Sequence, residues 1–578
     1  MRASQAQVTA LRSLLSIRPY FFAGAGTNDS LNGDLEDDGH CEEHARDFVR
    51  DLHRIRCVAS YSDTTSVSSQ YAPLTFEFIE DVGIHTLQGC LIMPDFIQRF
   101  GEQNADGTFT LSSSRQSIIT SLLSAGTFVG ALGQALTSDR YGRRGSIFIW
   151  STIFTVGVVI QTATLTSIAQ ISIGRFIAGL GVGALSAIVP LYNGETSPKA
   201  IRGMILVMYQ LQIIMGIFIS YIIDLGTHTI TNSASWKIPV GLQMLWGLIL
   251  MSGILFLPES PRHLLFTNRT AEARSVIAEL NSVPENDALV TSAISELEIA
   301  IAAENEGGRA TWLECFSTRN QLWKRTLNGM MLQFIQQLNG QNFYYYYGDT
   351  FFQSAGTELS PYVIQTILGA VSVAGTLPAL YLIETWGRRR SLLTGALLEA
   401  VCALIAGLSG HFLVAQGQNP KSGGDTLIAF AVLQVFSYSM FWGPTPWVYL
   451  GESFPLRVRP KSIALGSATN WLWNFLLSFF SPRIAADIGP LILLIFFGML
   501  VFGYVYVYFM IPETKGLSLE EVDQLYREGV RPWRSAGWRP HLLEESRARE
   551  GEGDGDVKED VMVEKGAESV HTSGKEKA

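Results

Sequence analysis

Long apolar runs recur along this chain and are separated by short charged segments. Runs such as SIFIWSTIFTVGVVIQTATL and LILLIFFGMLVFGYVYVYFMI contain no charged residue, and they match the roughly 20 residues that a helix needs to cross a hydrocarbon core of about 30 Å. Each run is apolar on every face of a helix, so many of them in series cannot share one soluble core. The pattern therefore predicts a polytopic α-helical membrane protein.

The same pattern divides the membrane part of the chain into two groups of spans. Hydropathy read in windows of about 19 residues predicts five spans before residue 258 and six after residue 324. The polar insert between the groups, residues 259–320, contains TAEARSVIAEL and DALVTSAISELEIAIAAE, which have the apolar spacing of amphipathic helices. The predicted spans are 116–137, 146–166, 169–192, 203–224, 237–257, 325–349, 361–383, 391–413, 427–450, 462–481 and 489–511.

Lysine and arginine accumulate in alternate loops. Arg143 and Arg144 belong to one such loop, and Arg388 and Arg389 to another, whereas the intervening loops hold isolated basic residues. Arginine-rich loops stay in the cytoplasm. These loops, the polar insert and the C-terminal tail are therefore predicted to be cytoplasmic.

The composition fits a membrane protein and disfavours several other classes. Of the 578 residues, 47% are hydrophobic and 16% are charged. Much of the formal net charge of -10 is in the two ends, which are polar and acidic, so we expect no nucleic-acid binding. The five cysteines lack metal or disulfide spacing, and the spans contain no metal-ligand cluster and no nucleophile with a base. We therefore predict neither an enzyme nor a bound metal or cofactor.

Three short motifs occur once in each group of spans and in the same order. Repeats of this kind are typical of transporter folds, in which a unit of several helices has been duplicated. The repeated motifs are DRYGRR at 139–144 with ETWGRR at 384–389, PES at 258–260 with PET at 512–514, and a glutamate followed seven positions later by an arginine, at 195 and again at 452.

With these motifs the chain resembles the sugar porter family of the major facilitator superfamily, and most closely the fungal monosaccharide (hexose) transporters. The likeness extends from about residue 89 to residue 533, and it also rests on QQLNGQN at 336–342 and GPTPW at 443–447. The resemblance implies an all-α major facilitator fold of two six-helix halves, nominally twelve transmembrane helices, and transport of a monosaccharide by alternating access. Pro444 and Pro446 are predicted to break the tenth helix.

The resemblance and the spans together give a predicted organisation in five parts. These are residues 1–75, a polar region expected to be disordered; 76–258, the N-terminal half with an incomplete first helix; 259–320, a cytoplasmic helical linker; 321–512, the C-terminal half; and 513–578, an acidic cytoplasmic tail.

The acids and arginines of two of the repeated motifs, DRYGRR with ETWGRR and the glutamate–arginine pair, are predicted to gate the pore. The resemblance implies that they form interhelical salt bridges that close the inner side and bias the equilibrium between inward-facing and outward-facing states. Alternatively the arginines only follow the positive-inside rule, but acidic partners at fixed spacing favour salt bridges. The predicted gating residues are Asp139, Arg143, Arg144, Glu195, Arg202, Glu384, Arg388, Arg389, Glu452 and Arg459.

Polar side chains within apolar spans are costly unless they face a cavity or a partner. Amides that both donate and accept, together with an indole face, suit a neutral polyhydroxylated ligand. The alternative is that the amides hold helices together, which is the role assigned to Gln212 and Gln333. The predicted substrate-binding residues, some of which coincide with sugar-contacting positions of the family, are Gln210, Gln336, Gln337, Asn342, Trp447, Asn470 and Asn474.

The first helix departs from the family pattern. Family members carry Phe-Gly-Tyr-Asp-x-Gly there, with the Asp as the proposed proton-coupling carboxylate, whereas here the segment before Pro94 is polar and contains Glu77, Glu80 and Asp81. An acid at a helix centre costs about 2.5–3.5 kcal/mol, so this segment is expected to insert poorly. Either the protein lacks half of the helix, or an intron was translated or an exon missed. Arg175, at the entry of the fourth helix, is the proton-coupling candidate.

The motifs leave the substrate and the coupling open. Hexose, pentose, disaccharide, polyol and quinate porters share them, and pocket details decide among such ligands. Proton symport is expected if the first helix is intact, and facilitated diffusion otherwise. A non-transporting sugar sensor is the alternative from another class, but the tail has no recognisable docking motif. We expect a multi-pass protein of the plasma membrane that works as a monomer, with a sugar, the lipid bilayer and protons as its partners.

Overall fold

Long apolar helices make up most of the structure. A computed structural model describes residues 87–196, 202–281, 283–305, 311–354, 360–416, 420–455, 457–517 and 519–539. The N-terminal region, the polar part of the predicted first helix and the acidic end of the tail lie outside these residues. Below, the inner end of the bundle is the end that carries Arg143 and Arg388, and the outer end is the opposite one.

The described part of the first half begins at the outer end with Leu87, Cys90, Leu91 and Met93, all of which are buried. A two-stranded antiparallel hairpin follows shortly after them, and it is an exception to the predicted all-α fold. The elements of this half are α1 (Pro94–Phe100), β1 (Glu102–Gln103), β2 (Phe109–Thr110), α2 (Ser113–Thr162), α3 (Ile168–Thr196), α4 (Arg202–Thr227) and α5 (Ala234–Ile254).

Helix α2 consists of two membrane spans that meet at a bend. The spans are Ser113–Gln134 and Arg140–Thr162, and the backbone leaves helical geometry at Gly142, where φ is 76° and ψ is 179°. The two arms of α2 therefore serve as the second and third spans, and α3, α4 and α5 are the fourth, fifth and sixth. All five lie where the hydrophobic pattern predicted them.

The polar insert folds into short helices with a core of their own. Leu264, Ile277, Val290 and Ile294 are buried against one another, as expected from the apolar spacing of the insert. The helices are α6 (Pro261–Phe266), α7 (Thr270–Asn281) and α8 (Ala288–Asn305), followed by 3₁₀ turns at Leu313–Phe316 and Arg319–Gln321.

The second half supplies the seventh to twelfth spans. Two of them, the seventh and the tenth, are each divided into two helices. The elements are α9 (Leu322–Gln337), α10 (Gln341–Ser354), α11 (Pro361–Trp386), α12 (Arg388–Ser409), α13 (Pro420–Met440), α14 (Thr445–Glu452), α15 (Arg459–Ile488) and α16 (Ile492–Met510).

The break in the seventh span was not predicted. The hydrophobic pattern predicted one helix over 325–349, whereas the chain leaves helical geometry between α9 and α10, and Gly340 has a φ of 95°. Asn339 stabilises the restart of the helix, because its Oδ1 accepts the backbone N–H of Gln341 at 3.0 Å. The break in the tenth span agrees with the prediction, since Pro444 immediately precedes α14.

The beginning of the predicted acidic tail is packed against the bundle. Helix α17 (Leu519–Arg527) places Asp523 Oδ1 2.8 Å from Arg325 Nη2 on α9. Tyr526 lies 4.5 Å beneath the same guanidinium. The Arg325 side chain is fully buried, so it requires an opposite charge nearby. This part of the tail is therefore a structural element of the inner end.

Candidate functional site: an amide network and two charge clusters

An amide network joins the seventh and eleventh spans in the middle of the bundle. Gln337 Nε2 donates to Asn470 Oδ1 at 2.8 Å, and Asn474 Nδ2 donates to Gln337 Oε1 at 3.1 Å. Asn470 Nδ2 donates to Gln336 Oε1 at 2.9 Å and to Gln333 Oε1 at 2.7 Å. All five side chains are buried. The network therefore concentrates amide donors and acceptors at mid-membrane depth, where water is scarce.

Gln336 also connects this network to the break in the tenth span. Its Nε2 donates to the carbonyl oxygens of Trp442 at 2.9 Å and Gly443 at 2.8 Å. In a continuous helix the Trp442 carbonyl would accept from the residue four positions on, which is Pro446 and has no N–H. The Gln336 amide supplies the missing donor, so it holds the two broken spans together.

Of the other predicted ligand residues, one is hydrogen-bonded to this network within the described residues and two are not. Asn342 is half-buried and donates to Gln337 Oε1. Gln210, in the first half, lies with its amide next to Gly443, and Trp447 is half-buried in α14. Among the described contacts, neither Gln210 nor Trp447 hydrogen-bonds to the network. Gln212 is half-buried in α4.

Polar and aromatic contacts connect the two halves around the network. Ser124 Oγ of α2 donates to Asn474 Oδ1 of α15 at 2.7 Å. Nearer the outer end, the rings of His228 and Tyr362 stack with centroids 4.4 Å apart. A buried apolar cluster that includes residues of both halves fills the space between them. The halves are therefore in direct contact from the network outwards.

A charge cluster lies at the inner end of the first half. Arg143 binds Glu195 in a bidentate pair, with Nε and Nη2 each 3.0 Å from a carboxylate oxygen. The Glu259 carboxylate accepts the backbone N–H of Arg143 at 2.9 Å, which caps the start of the third span. Ser260 Oγ donates to Glu195, and His263 Nδ1 lies 3.2 Å from Arg143 Nη1. We call these residues the first-half cluster.

The second half repeats the arginine–glutamate pair, the capping acid and the hydroxyl of this arrangement. Arg388 Nε and Nη2 lie 3.0 and 2.6 Å from the Glu452 carboxylate, and Glu513 accepts the backbone N–H of Arg388 at 2.8 Å. Thr514 Oγ1 donates to Glu452 at 2.9 Å, in the place of Ser260. Glu384 adds a second carboxylate, 3.0 Å from Arg388 Nη2. We call these residues the second-half cluster.

The glycine of each repeated motif is required by the acid that caps the next helix. Gly142 and Gly387 have φ values of 76° and 91°, which side-chain-bearing residues rarely adopt. A Cβ at Gly142 would collide with Glu259, and one at Gly387 would collide with Glu513. Glycine thus lets the carboxylate of the sixth or twelfth span reach the N-terminus of the third or ninth.

Each cluster connects helices of its own half. The described pairs join the third, fourth and sixth spans in one half and the ninth, tenth and twelfth in the other. The prediction that the repeated acids and arginines pair is thus seen for Arg143 and Arg388. Arg144 and Arg389 contribute their backbone N–H groups, to Glu259 and Glu513. Arg459 donates to the Gly451 carbonyl oxygen at 2.7 Å. The side chains of Asp139 and Arg202 lie outside the described residues.

Arg175 is buried between the fourth span and the residues of the first helix. Its Nε donates to the Ile119 carbonyl oxygen at 3.2 Å, and Cys90, Tyr346 and Tyr347 lie within electrostatic range. Nη1 has no hydrogen-bond partner among the described residues. The segment in which the partner carboxylate is predicted lies outside the described residues, so the proton-coupling role of Arg175 stays a prediction.

Sequence reasoning missed several members of the site. Glu259 and Glu513 were visible as the repeated Pro-Glu motifs, but no role was assigned to them. Gln333 is predicted to hold helices together, and its hydrogen bond to Asn470 joins the seventh and eleventh spans, but the sequence does not show that it shares the network of Gln336 and Gln337. Ser124 carried no signal, because one serine in an apolar span is common and its neighbour Asn474 is far away in sequence.

The duplicated bundle of apolar helices, broken at mid-membrane beside a buried amide network, defines a multi-pass membrane transporter of the major facilitator fold. The chain belongs to the family described as sugar (and other) transporter, whose model matches residues 79–526. That family consists of transport proteins and not of enzymes.

Relatives and solved structures agree with this assignment. The low-affinity glucose transporter HXT4 of Saccharomyces cerevisiae is 40% identical over 469 residues, which are 80% of this chain and 81% of that protein. Hexose transporter 2 of Kluyveromyces lactis is 38% identical over 524 residues, 90% of this chain and 91% of that protein. The Escherichia coli proton:xylose symporter XylE, bound to 6-bromo-6-deoxy-D-glucose, has the same fold, with a TM-score of 0.67 at 23% identity over 80% of this chain and 99% of that chain.

Proposed function

We propose that this protein carries a hexose across the plasma membrane by alternating access, and that the amide network contributes the binding site. The observation that carries the proposal is the network itself, in which Gln337, Asn470 and Asn474 satisfy one another at mid-membrane depth. Sugar hydroxyls both donate and accept, so they replace amide partners at little net cost in hydrogen bonds. Relatives described as glucose, hexose and galactose transporters support a hexose.

In alternating access the two halves separate at one end of the bundle and close at the other, and the outer end must open for a sugar to enter. The contacts Ser124 with Asn474 and His228 with Tyr362 would have to break for the outer end to open. The breaks next to Gln336 are suitable hinges, because the helices on either side can tilt separately. The two charge clusters fasten helix ends within each half. We propose that they act as latches which let each half move as a unit, and that breaking them changes the conformational balance.

Coupling depends on the first helix. With a carboxylate opposite Arg175, proton symport is the expected mode, and without it facilitated diffusion is expected. A protonophore distinguishes the two modes. It abolishes the accumulation of sugar above the external concentration by a symporter, whereas a facilitator does not accumulate sugar and is unaffected. Helices of both halves belong to one chain and contact each other directly, so a monomer is the proposed working unit.

The test is sugar uptake by yeast cells that lack their own hexose transporters and express the full chain. Asn470→Ala removes an amide with three described hydrogen bonds, worth about 1–3 kcal/mol together in a binding site. We expect KM for the transported hexose to rise roughly 10- to 100-fold, with a smaller change in maximal rate. Gln416→Ala, at an exposed amide beyond the π turn Gly410–Ala415, is the matched control and should leave KM unchanged.

The proposed function would be contradicted if the protein reaches the plasma membrane and elutes as a single species on size-exclusion chromatography, yet the cells take up no hexose. If Asn470→Ala takes up hexose with the wild-type KM, the protein is a sugar transporter but the amide network is not part of its binding site. Competition by unlabelled glucose, galactose and xylose then ranks the substrates.

A further inference from the structure

The ninth span contains an acidic residue that sugar binding and the latches do not use. Glu399 lies halfway along α12, and its side chain is 0% exposed. The neighbouring residues Ala400 and Ala403 pack with Leu500 of α16 in an apolar cluster. A buried acid within a membrane span is costly, so its position calls for a function.

The described surroundings of Glu399 offer little to stabilise a negative charge. Asn339 Nδ2 donates to Glu399 Oε2 at 3.2 Å, and Oε1 has no hydrogen-bond partner among the described residues. In the part of the chain that the structure describes, no lysine, arginine or histidine pairs with it. The ionisable groups within electrostatic range are Cys402 on α12 and Tyr438 on α13, neither of which carries a positive charge.

An ionised carboxylate at this site would cost several kcal/mol in desolvation. One long hydrogen bond from a neutral amide offsets about 1.5–3 kcal/mol of that cost at most. These surroundings favour the neutral acid over the carboxylate. A proton on Oε1 would remove the charge and leave Oε2 as the acceptor of the Asn339 amide.

Asn339 connects this acid to the break in the seventh span. The same side chain that donates to Glu399 accepts the backbone N–H of Gln341, where α10 begins. The Asn339 carbonyl oxygen accepts from Gln434 Nε2 at 2.9 Å, and Gln434 Oε1 accepts from the Tyr344 hydroxyl at 3.1 Å. Any tilt of α10 at the break therefore displaces the only described hydrogen-bond partner of Glu399.

We propose that Glu399 is a proton-binding site of the second half, which keeps its proton while Asn339 holds the break closed and releases it when tilting of α10 admits water. The coupling of this site to sugar movement rests on the proposed function, whereas the protonation state does not. When a carboxyl group is neutral in one conformation and ionised in another, low pH shifts the conformational equilibrium of the protein towards the first. The arrangement described here should therefore be favoured by acid and lost as the pH rises.

Infrared spectroscopy of the full chain in lipid vesicles tests the protonation directly. A protonated carboxyl has a C=O stretching band that is separate from amide absorption and shifts in D₂O. We expect the wild-type spectrum at neutral pH to contain such a band that Glu399→Gln lacks, whereas Glu298→Gln, on the exposed face of α8, keeps it. The amide of Glu399→Gln resembles the neutral acid in shape and retains an acceptor for Asn339. Identical spectra for wild type and Glu399→Gln would overturn the proposal.

Sugar counterflow in the same vesicles tests the coupling. With equal pH on both sides, we expect the wild-type exchange rate to change with pH and Glu399→Gln to lose at least part of that dependence. Glu399→Asp keeps a titratable group but withdraws it from Asn339, so its pH profile should shift. The same pH dependence in wild type and Glu399→Gln would overturn the coupling. Absence of exchange in wild type at every pH would contradict the proposed function, while the infrared result would still decide the state of Glu399.

Discussion

The two charge clusters have the same framework but hold their arginines differently. In both, a glutamate of the fourth or tenth span forms a bidentate pair with the arginine, and a hydroxyl after the capping acid donates to that glutamate. Arg388, however, donates to two carboxylates and to the Ile383 carbonyl oxygen. Arg143 donates to one described carboxylate and to a ring nitrogen of His263.

Among the described residues, the acceptor that differs is the His263 ring, whose counterpart three residues after Thr514 is Leu517, so duplication preserved the framework but not every acceptor. An arginine has only N–H donors, so His263 Nδ1 must accept and the ring must lack a proton there. The first-half cluster therefore depends on an imidazole acceptor, which is lost if the ring is protonated at Nδ1, whereas the described side-chain acceptors of Arg388 are carboxylates. The two latches should respond differently to mutation and to acid.

The largest difference is expected when the arginines are removed. Arg388→Gln leaves two neighbouring carboxylates, Glu384 and Glu452, without their described cation; because both acids are partly exposed, we expect a cost below the roughly 3–5 kcal/mol of breaking a fully buried pair. Arg143→Gln leaves one described carboxylate, Glu195, which keeps Ser260 as a hydrogen-bond donor, and should therefore cost less. Thermal unfolding of the purified proteins, followed by tryptophan fluorescence, should rank Arg388→Gln below Arg143→Gln, and both below wild type.

Arg269→Gln is the matched control for these two variants. Its partner Glu272 is three residues away on the surface, and both side chains are more than half exposed. Exposed pairs contribute about 0–1 kcal/mol, so this variant should unfold close to wild type. An Arg143 variant less stable than the Arg388 variant would contradict the ranking of the clusters.

The next effect in size is that of acid on the first-half cluster. Protonation of His263 would remove its hydrogen bond to Arg143 and place two positive charges side by side. Loss of a hydrogen bond to a charged group costs about 2 kcal/mol. The stabilisation is thus present while the histidine is neutral and is lost as the pH falls. His263→Gln keeps an acceptor that does not titrate, so we expect it to unfold with a weaker dependence on acid than wild type.

Unfolding midpoints measured from neutral to mildly acidic pH check this expectation. His411→Gln, in the half-buried π turn that follows α12, is the control and should keep the wild-type profile. Equal acid sensitivity in wild type and His263→Gln would show that Arg143 does not depend on a neutral ring.

The hydrophobic pattern and the repeats predicted the spans and the acid–arginine pairs because both depend on local sequence. A run of 20 apolar residues has one stable environment, and an acid and an arginine at fixed spacing on neighbouring helix ends meet wherever the helices pack. The break of the seventh span was missed because Leu338, Asn339 and Gly340 interrupt an otherwise apolar helix for only three residues, which a window of about 19 averages out.

The network and Glu399 were harder to predict for a different reason. Gln333 and Gln336 lie one turn apart on α9, and sequence alone does not show that both reach Asn470 on α15. Glu399 was counted within an apolar span and received no role, because one acid does not lower the mean hydropathy of its window enough to be noticed. Residues that act through partners more than 50 positions away, as Glu399 does through Asn339, need the fold before they can be interpreted.

The smallest expected difference concerns the two hydroxyls. Glu195 is 7% exposed and Glu452 is 28% exposed at their side chains, so water can replace a lost donor more readily at Glu452. Ser260→Ala should therefore cost about 1 kcal/mol, and Thr514→Val less than that. The conservative variants Ser260→Thr and Thr514→Ser keep a hydroxyl and should unfold like wild type. If Thr514→Val loses more stability than Ser260→Ala, the more exposed carboxylate of Glu452 depends more strongly on its hydroxyl partner. Solvent exposure would then not determine how much each contact contributes to stability.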